Sequence, residues 1–316
     1  MSGKLTLTSG KTHLLFSLRG GSPCLPRRAF YGIAFFVLTS GISLMYDYCM
    51  EDYYSRPELS HSQLKEIRNS PAHFQHYLSR PPSQTDAMLL GSLVHTMVLE
   101  PQEVDTRFVA APKIDRRTKK GKDEWSALQS TTGQRQLIPM PVWTQASQMR
   151  DSVIANRDAE SRLVVARIEK SVEREFYWTD RRGFDRRAKL DAVCSDGTVI
   201  DLKTTISAGR GFNRSIFKYA YHTQAAYYAD AARSSGIDFT SFMFVCIEKR
   251  PPYATAVYRL SPKWLECGRA TLEKWLDEYE ECSRLNYWPA YPRGVRTLEP
   301  PDWAIEENAL DNAEDE

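Results

Sequence analysis

The sequence predicts an α/β domain, because helical and strand patterns alternate along most of the chain. Asp86–Leu99 has the pattern of a buried helix, and Lys189–Thr205 has that of a β-hairpin. Two further strands, Phe242–Ile247 and Ala254–Leu260, precede an amphipathic helix that starts at Ser261-Pro262. With 316 residues, 42% hydrophobic and 26% charged, the chain has an ordinary globular composition, long enough for one large domain or two small ones.

The hairpin is the most informative stretch, because its register decides whether two carboxylates meet. A two-residue turn would leave Asp191 and Asp201 on opposite faces. A three-residue loop Ser195–Gly197, with Gly197 in the left-handed conformation, pairs them instead. Alternation favours the second register, since it gives one apolar face that consists of Leu190, Ala192, Cys194, Ile200 and Leu202.

In that register Asp191, Asp201 and Lys203 lie side by side on the other face. Two adjacent carboxylates repel each other unless a cation lies between them or one is protonated. Oxygen ligands with a lysine beside them suit Mg²⁺ or Mn²⁺ and a phosphate substrate.

Upstream of the hairpin, capped helices are predicted from Ser60, with Gln63 completing a capping box, and from Ser70-Pro71 to about Leu78. The third helix, Asp86–Leu99, carries Gly91 and His95 one turn apart. By itself His95 is most simply a core histidine bonded to a carbonyl. A basic run then follows, predicted to be either a solvated loop or a phosphate contact, with Arg116, Arg117, Lys119, Lys120 and Lys122.

After an amphipathic helix from about Thr144, Val172–Trp178 is predicted to be a strand. Either Glu173 or Glu175 can be its functional carboxylate. Arg187 and Lys189 enter the hairpin on the face of Asp191, where they can meet a phosphodiester.

A polar loop, Ser207–Asn213, follows the hairpin, and we expect it to flank the scissile phosphate. The helix Phe217–Ser234 comes next and places Gln224 and Tyr228 one turn apart.

The order Gly91…His95, Glu173, Asp191, Asp201-Leu202-Lys203 and Gln224…Tyr228 resembles the PD-(D/E)xK nucleases, with Leu190 where the signature has proline. It is most similar to the RecB-like branch, and to the exonuclease VIII (RecE-type) nuclease domains of phage and prophage recombination systems. The basic run, followed by Asp123-Glu124-Trp125, also looks like a segment of those domains.

The resemblance covers about residues 50–292 and implies a restriction-endonuclease-like α/β core, with a mixed central sheet flanked by helices. It implies Mg²⁺ (or Mn²⁺) held by His95, Asp191, Asp201 and the Leu202 carbonyl. Glu173 would serve a second ion or the attacking water, and Lys203 would stabilise charge on the phosphate. DNA would be positioned by Gln224, Tyr228, Arg187, Lys189 and the basic run.

The implied activity is exonuclease action on linear double-stranded DNA, 5′ to 3′, with no nucleotide cofactor. The implied partners are a single-strand annealing recombinase and further copies of the chain in a ring. The rival interpretation is a DNA- or partner-binding module that has lost catalysis. Both carboxylates and the lysine are present, which favours the enzyme.

The composition and the two ends of the chain bound these expectations. Six scattered cysteines without a CxxC pair argue against disulfides, zinc and an iron–sulfur cluster, and fit a cytoplasmic protein. Residues 1–49 contain the uncharged run Ala29–Tyr46, which is either a membrane anchor or an over-extended reading frame ahead of a start at Met50. We favour the start at Met50. Residues 293–316 form an acidic end that we expect to be disordered.

Overall fold

The structure is a computed structural model that describes residues 53–80, 85–112, 114–115 and 117–300. The chain divides into residues 1–50 and 51–316, and every described residue belongs to the second unit. In these ranges no helix is both long and apolar enough to cross a membrane. The expectations for residues 1–49, and those for the acidic end beyond residue 300, lie outside the described residues.

The helices and strands of the described residues follow the predicted alternation. The α-helices are α1 (His61–Leu64), α2 (Pro71–Ser79), α3 (Asp86–Leu99), α4 (Val104–Arg107), α5 (Lys119–Thr132), α6 (Met140–Ala155), α7 (Arg157–Ile168), α8 (Phe212–Lys218), α9 (Tyr221–Ser234) and α10 (Pro262–Leu285). The strands are β1 (Phe108–Ala111), β2 (Gln136–Pro139), β3 (Val172–Thr179), β4 (Asp185–Val193), β5 (Thr198–Thr205), β6 (Ser241–Glu248) and β7 (Thr255–Arg259).

The main sheet has five strands in the order β3-β4-β5-β6-β7. β5 and β6 are parallel, and the other neighbours are antiparallel, so the sheet is mixed. One face packs on a first core cluster that includes Phe176, Leu190 and side chains of α9 and α10. The other packs on a second core cluster that includes Ala192, Ile200 and side chains of α3, α6 and α7. The predicted α/β fold is confirmed.

The hairpin between β4 and β5 has the predicted three-residue loop. Ala192 pairs with Ile200 and Val193 with Val199, and Gly197 adopts φ 77°. A Cβ on Gly197 would also lie 1.8 Å from the Asp238 carbonyl oxygen. Both the positive φ and this close contact therefore require glycine. The predicted register, which brings Asp191 level with Asp201 if continued by one residue, is therefore confirmed at the pairs next to the loop.

The predicted apolar face of the hairpin is wrong in one residue. Leu190 belongs to the first core cluster, whereas Ala192 belongs to the second. β3 makes the same change, since Val172 packs against the second cluster and Phe176 lies in the first. Between them the backbone of Glu173 is left-handed, with φ 49°. In both strands, the side chains on one face thus change from one core cluster to the other at the same level of the sheet. We call this level the crossover (Glu173 on β3 and Asp191 on β4).

The crossover lies where β4 parts from β5. β5 pairs with β4 only near the loop, while it pairs with β6 over its full length. The free edge of β4 is taken instead by Leu59, whose amide donates to the Asp185 carbonyl at 2.9 Å and whose carbonyl accepts from the Arg187 amide at 3.0 Å. The two hairpin strands therefore open beside Asp191 and Asp201.

Other predicted boundaries are wrong as well. The helix expected from Phe217 begins at Tyr221, because Ala220 is left-handed (φ 58°) and separates α8 from α9. The basic run is not a loop throughout, since Thr118 caps α5 by accepting from the Gly121 amide at 3.0 Å. The small parallel sheet of β1 and β2 on either side of α5 was not predicted.

A candidate metal centre at the strand crossover

Three side chains from separate elements meet at the crossover. His95 comes from α3, Glu173 from β3 and Asp191 from β4, and each offers one ligand atom within 4.8 Å of the others. The left-handed backbone of Glu173 breaks the alternation of β3. Glu175, the alternative carboxylate, instead accepts a hydrogen bond from the Tyr177 hydroxyl at 2.6 Å. Of the two candidates, the structure brings Glu173 to Asp191.

Asp191 is held in place from two sides. The Leu202 amide donates to its Oδ2 at 2.7 Å, and His95 Nδ1 lies 3.5 Å from the same oxygen. Burial, followed by repulsion from Glu173, raises the pKa of Asp191 to about 7, against the opposing effect of Lys203. Burial lowers the pKa of His95, so the imidazole is kept neutral as a metal ligand must be. Without a cation between them, Asp191 and Glu173 therefore repel each other when both are ionised.

Asp201 and Lys203 form the second half of the site, on β5. Lys203 Nζ lies 2.5 Å from Asp201 Oδ2, and the carboxylate is 1% exposed. Burial raises the pKa of Asp201 to about 6 although Lys203 opposes it. Burial would lower the pKa of Lys203, but Asp201 and Asp191 outweigh it and raise that pKa. The lysine is thus kept charged beside the candidate metal ligands.

Gln224 and Tyr228 act on Asp201. The Gln224 amide nitrogen donates to Asp201 Oδ1 at 3.2 Å and to the Tyr228 hydroxyl at 2.9 Å. Burial raises the pKa of Tyr228 well above its ordinary value, so the phenol stays neutral. The contacts make Gln224 a positioning residue for Asp201; contact of either side chain with DNA stays a prediction.

Tyr221 was not among the candidates. Lys203 Nζ lies 4.8 Å from the centre of its ring, the distance of a cation–π contact. The sequence does carry a signal, because Tyr221, Gln224 and Tyr228 are spaced i, i+3 and i+7 and so share one face of α9.

The two cations predicted on β4, Lys189 and Arg187, lie in different surroundings. Lys189 reaches the site, with Nζ 3.0 Å from Glu173 Oε2, and the carboxylate outweighs burial and raises the pKa of Lys189. The predicted contact of Arg187 with DNA is wrong. It is 3% exposed, donates to the carbonyls of Arg56 and Glu58, and lies over the Tyr53 ring. A guanidinium so enclosed holds the segment before α1 and is not available to DNA.

The basic run presents exposed side chains at the start of α5. Arg117 pairs with Asp115 at 2.9 Å, and Lys120 lies 3.8 Å from Glu124, one turn further along the helix. Lys119 and Lys122 are also exposed, and Arg116 lies outside the described residues. Both ion pairs are open to solvent and weak, so a phosphate can compete for these cations.

The donor set fits a divalent cation. Two carboxylates and a neutral imidazole suit Mg²⁺, and suit Mn²⁺ better because of the nitrogen. Asp201 Oδ2 is buried and lies beside the Lys203 ammonium, 2.5 Å from Nζ, so its charge already has a partner. Asp201 is turned toward Lys203, outside the cluster of three. Its ligation, like that of the Leu202 carbonyl, stays a prediction.

The sequence comparison agrees with this geometry. Residues 60–297 match the family described as "PDDEXK-like domain of unknown function (DUF3799)". The chain belongs to this family. The matched residues contain the hairpin, the crossover and α3, so the restriction-endonuclease-like class predicted for the fold is confirmed.

A solved structure shares this fold at low identity. A crystal structure described as a "Putative exonuclease" from Eubacterium rectale aligns with TM-score 0.55 at 13% identity, over 85% of this chain and 99% of that one. A second, of SSO0001, covers 71% of this chain and 85% of that one at 16% identity, with a TM-score of 0.27 that is too low to indicate a shared fold. No curated protein matches the sequence.

Proposed function

We propose that the protein is a metal-dependent nuclease that hydrolyses phosphodiester bonds of DNA at the crossover. One observation carries the proposal: His95, Glu173 and Asp191 converge beside the Asp201–Lys203 pair. Carboxylates crowded in this way repel each other unless a cation joins them. A charged, partly exposed lysine at the same place gives a phosphate its counter-charge.

The mechanism assigns a task to each side chain. His95, Glu173 and Asp191 would hold the ion, which when bound polarises the phosphate and lowers the pKa of water. Lys203 remains protonated and stabilises the charge that develops on the phosphate oxygens. Gln224 fixes the Asp201 carboxylate, and Lys189 holds Glu173 in place. Tyr221 covers the lysine and limits its contact with solvent.

The finer assignment is exonuclease action on linear double-stranded DNA. Its support is the resemblance of the five motifs to RecE-type nucleases, together with the E. rectale structure described as a "Putative exonuclease". By the same resemblance we propose 5′-to-3′ polarity, a ring of several copies and cooperation with an annealing recombinase.

The test uses the full chain with end-labelled linear duplex and the same DNA as a closed circle. Each is incubated with Mg²⁺, with Mn²⁺ or with EDTA. We expect mononucleotide release from the linear DNA alone, only with metal. Equal cutting of the circle would make the enzyme an endonuclease. Binding without cleavage in any metal would favour the rival DNA-binding module.

A further inference from the structure

A surface of aromatic and basic side chains follows the site directly in sequence. The chain runs from Leu202 to Ala229 without a single aspartate or glutamate. Within this stretch Phe217 and Tyr219 are 67% and 44% exposed, although both are aromatic. Exposed cations accompany them, so we define the α8 surface as Arg210, Arg214, Phe217, Lys218 and Tyr219.

The cations of the α8 surface are not engaged in ion pairs with any carboxylate that the structure describes. In the described part of the chain, ion pairs join many other charged groups, but Arg210, Arg214 and Lys218 have no carboxylate at ion-pair distance. The nearby Glu248 is used otherwise, since its Oε1 accepts from the Ala208 amide at 2.9 Å. Cations without a counter-charge on an acid-free segment favour an anionic partner.

The loop before α8 is firmly held. Besides Glu248, the Tyr258 hydroxyl donates to the Ala208 carbonyl at 2.5 Å. Phe212 and Ile216 of α8 are buried in the first core cluster. The exposed rings therefore stand on a fixed base, and Phe217 has one face stacked on His222 at 5.6 Å.

A chain of contacts joins this surface to the candidate site. The rings of Tyr219 and Tyr221 are 5.6 Å apart, and Tyr221 lies 4.8 Å from Lys203 Nζ. Only one aromatic ring thus separates an exposed tyrosine from the lysine that would meet the reacting phosphate.

We infer that the α8 surface binds a single-stranded DNA end and delivers it to the crossover. Phe217 and Tyr219 stack on unpaired bases, while Arg210, Arg214 and Lys218 contact the phosphates between them. Duplex DNA hides the faces of its bases, so exposed rings gain more from a frayed or tailed end. The inference rests on the proposed function, because it names the form of DNA that this site takes.

The test measures binding in EDTA, which separates it from cleavage. Fluorescence anisotropy gives Kd for a blunt duplex and for the same duplex with a 5′ or a 3′ single-stranded tail. We expect the wild type to prefer one of the tailed forms. In the double variant Phe217→Ala and Tyr219→Ala the preference should fall by about tenfold for each ring removed, toward a ratio of one. Tyr219→Phe, which retains the ring, should keep it.

The control is Tyr287→Ala, which removes an aromatic side chain that is 64% exposed just after the end of α10. It should leave the tail preference unchanged. Thermal unfolding of each variant shows whether it folds. A wild type that binds blunt and tailed DNA equally overturns the inference, as does a folded double variant that retains the preference. Tail preference without cleavage in any metal would reject the proposed function alone, and cleavage without tail preference would reject the inference alone.

Discussion

At the scale of single residues, the site depends on carboxylates that are buried next to one another. The sequence predicts Asp191, Asp201 and Lys203 as candidates, because the register of the hairpin brings them to one level. It cannot decide between Glu173 and Glu175, since that choice depends on the left-handed backbone at Glu173. It also cannot show that Arg187 is enclosed, because the segment that encloses it lies more than 120 residues earlier in the chain, at Tyr53–Glu58.

The raised pKa values predict how stability depends on pH in the metal-free protein. The folded state holds the pKa of Asp191 at about 7, above its ordinary value of 3.8. Between about pH 4 and pH 7 the folded protein therefore binds more protons than the unfolded chain, and this group lowers stability as the pH rises. Asp191→Asn removes the effect. In EDTA we expect the variant to unfold at a higher temperature than the wild type at pH 8 and at a similar temperature at pH 4.

The comparison between the two proteins reports the Asp191 charge together with its repulsion of Asp201 and Glu173, because carboxylates away from the site titrate alike in both. Added Mn²⁺ should raise the unfolding temperature of the wild type at pH 8 and have a much smaller effect on the variant. A variant that is less stable than the wild type at pH 8 in EDTA would contradict the raised pKa.

At the scale of elements, the sequence predicts those features that a local pattern determines. α3 begins and ends where expected, since Thr85 caps it and its apolar residues continue to Leu99. The exchange of faces in β4 is not predictable from the sequence. Both faces of β4 pack on core clusters, and apolar residues suit either face. The left-handed conformation of Ala220 cannot be predicted either, since alanine is ordinarily a helix former.

Two helix glycines give opposite predictions. A Cβ on Gly91 of α3 would lie 3.7 Å from Thr204 Oγ1, an ordinary contact, so this position leaves room for a methyl group. A Cβ on Gly268 of α10 would lie 2.0 Å from the His222 carbonyl oxygen, which belongs to the backbone of α9. Gly91→Ala should stabilise the protein by about 0.5–1 kcal/mol, and Gly268→Ala should destabilise it by about 1–3 kcal/mol.

Urea denaturation measures both changes, with the m-value as a check that the unfolding transition stays two-state. Each glycine variant serves as the control for the other, since both replace a helix glycine with the same residue. Equal effects of the two substitutions would mean that α9 and α10 do not approach as closely as described.

At the scale of the whole molecule, two core clusters hold a sheet whose strands part at one point, and the charged side chains collect there. The basic run lies on a separate helix, α5. Its remaining prediction is contact with DNA phosphates, irrespective of sequence. The variant Lys119→Gln, Lys120→Gln and Lys122→Gln should weaken binding to all DNA sequences and flatten the log–log salt dependence by about 0.9 for each phosphate that is no longer neutralised.

Binding in EDTA over a range of salt concentrations measures that slope. The matched control replaces Lys263 and Lys274 of α10 with glutamine, which should leave the slope nearly unchanged. If the α5 variant keeps the affinity and the slope of the wild type, the run is a solvated helix start, and the cations of the α8 surface carry the phosphate contacts.

The metal-dependent site at the crossover is tested most directly by single-turnover cleavage of an end-labelled linear duplex, followed as Mn²⁺ is titrated into the protein. The wild type should be inactive in EDTA and gain activity as the metal is added. Asp191→Asn and Lys203→Ala should each fold, bind DNA, and cleave at least about a hundredfold more slowly at saturating metal. Cleavage by either variant at the wild-type rate, or wild-type cleavage that persists in EDTA, would contradict a metal-dependent site at the crossover.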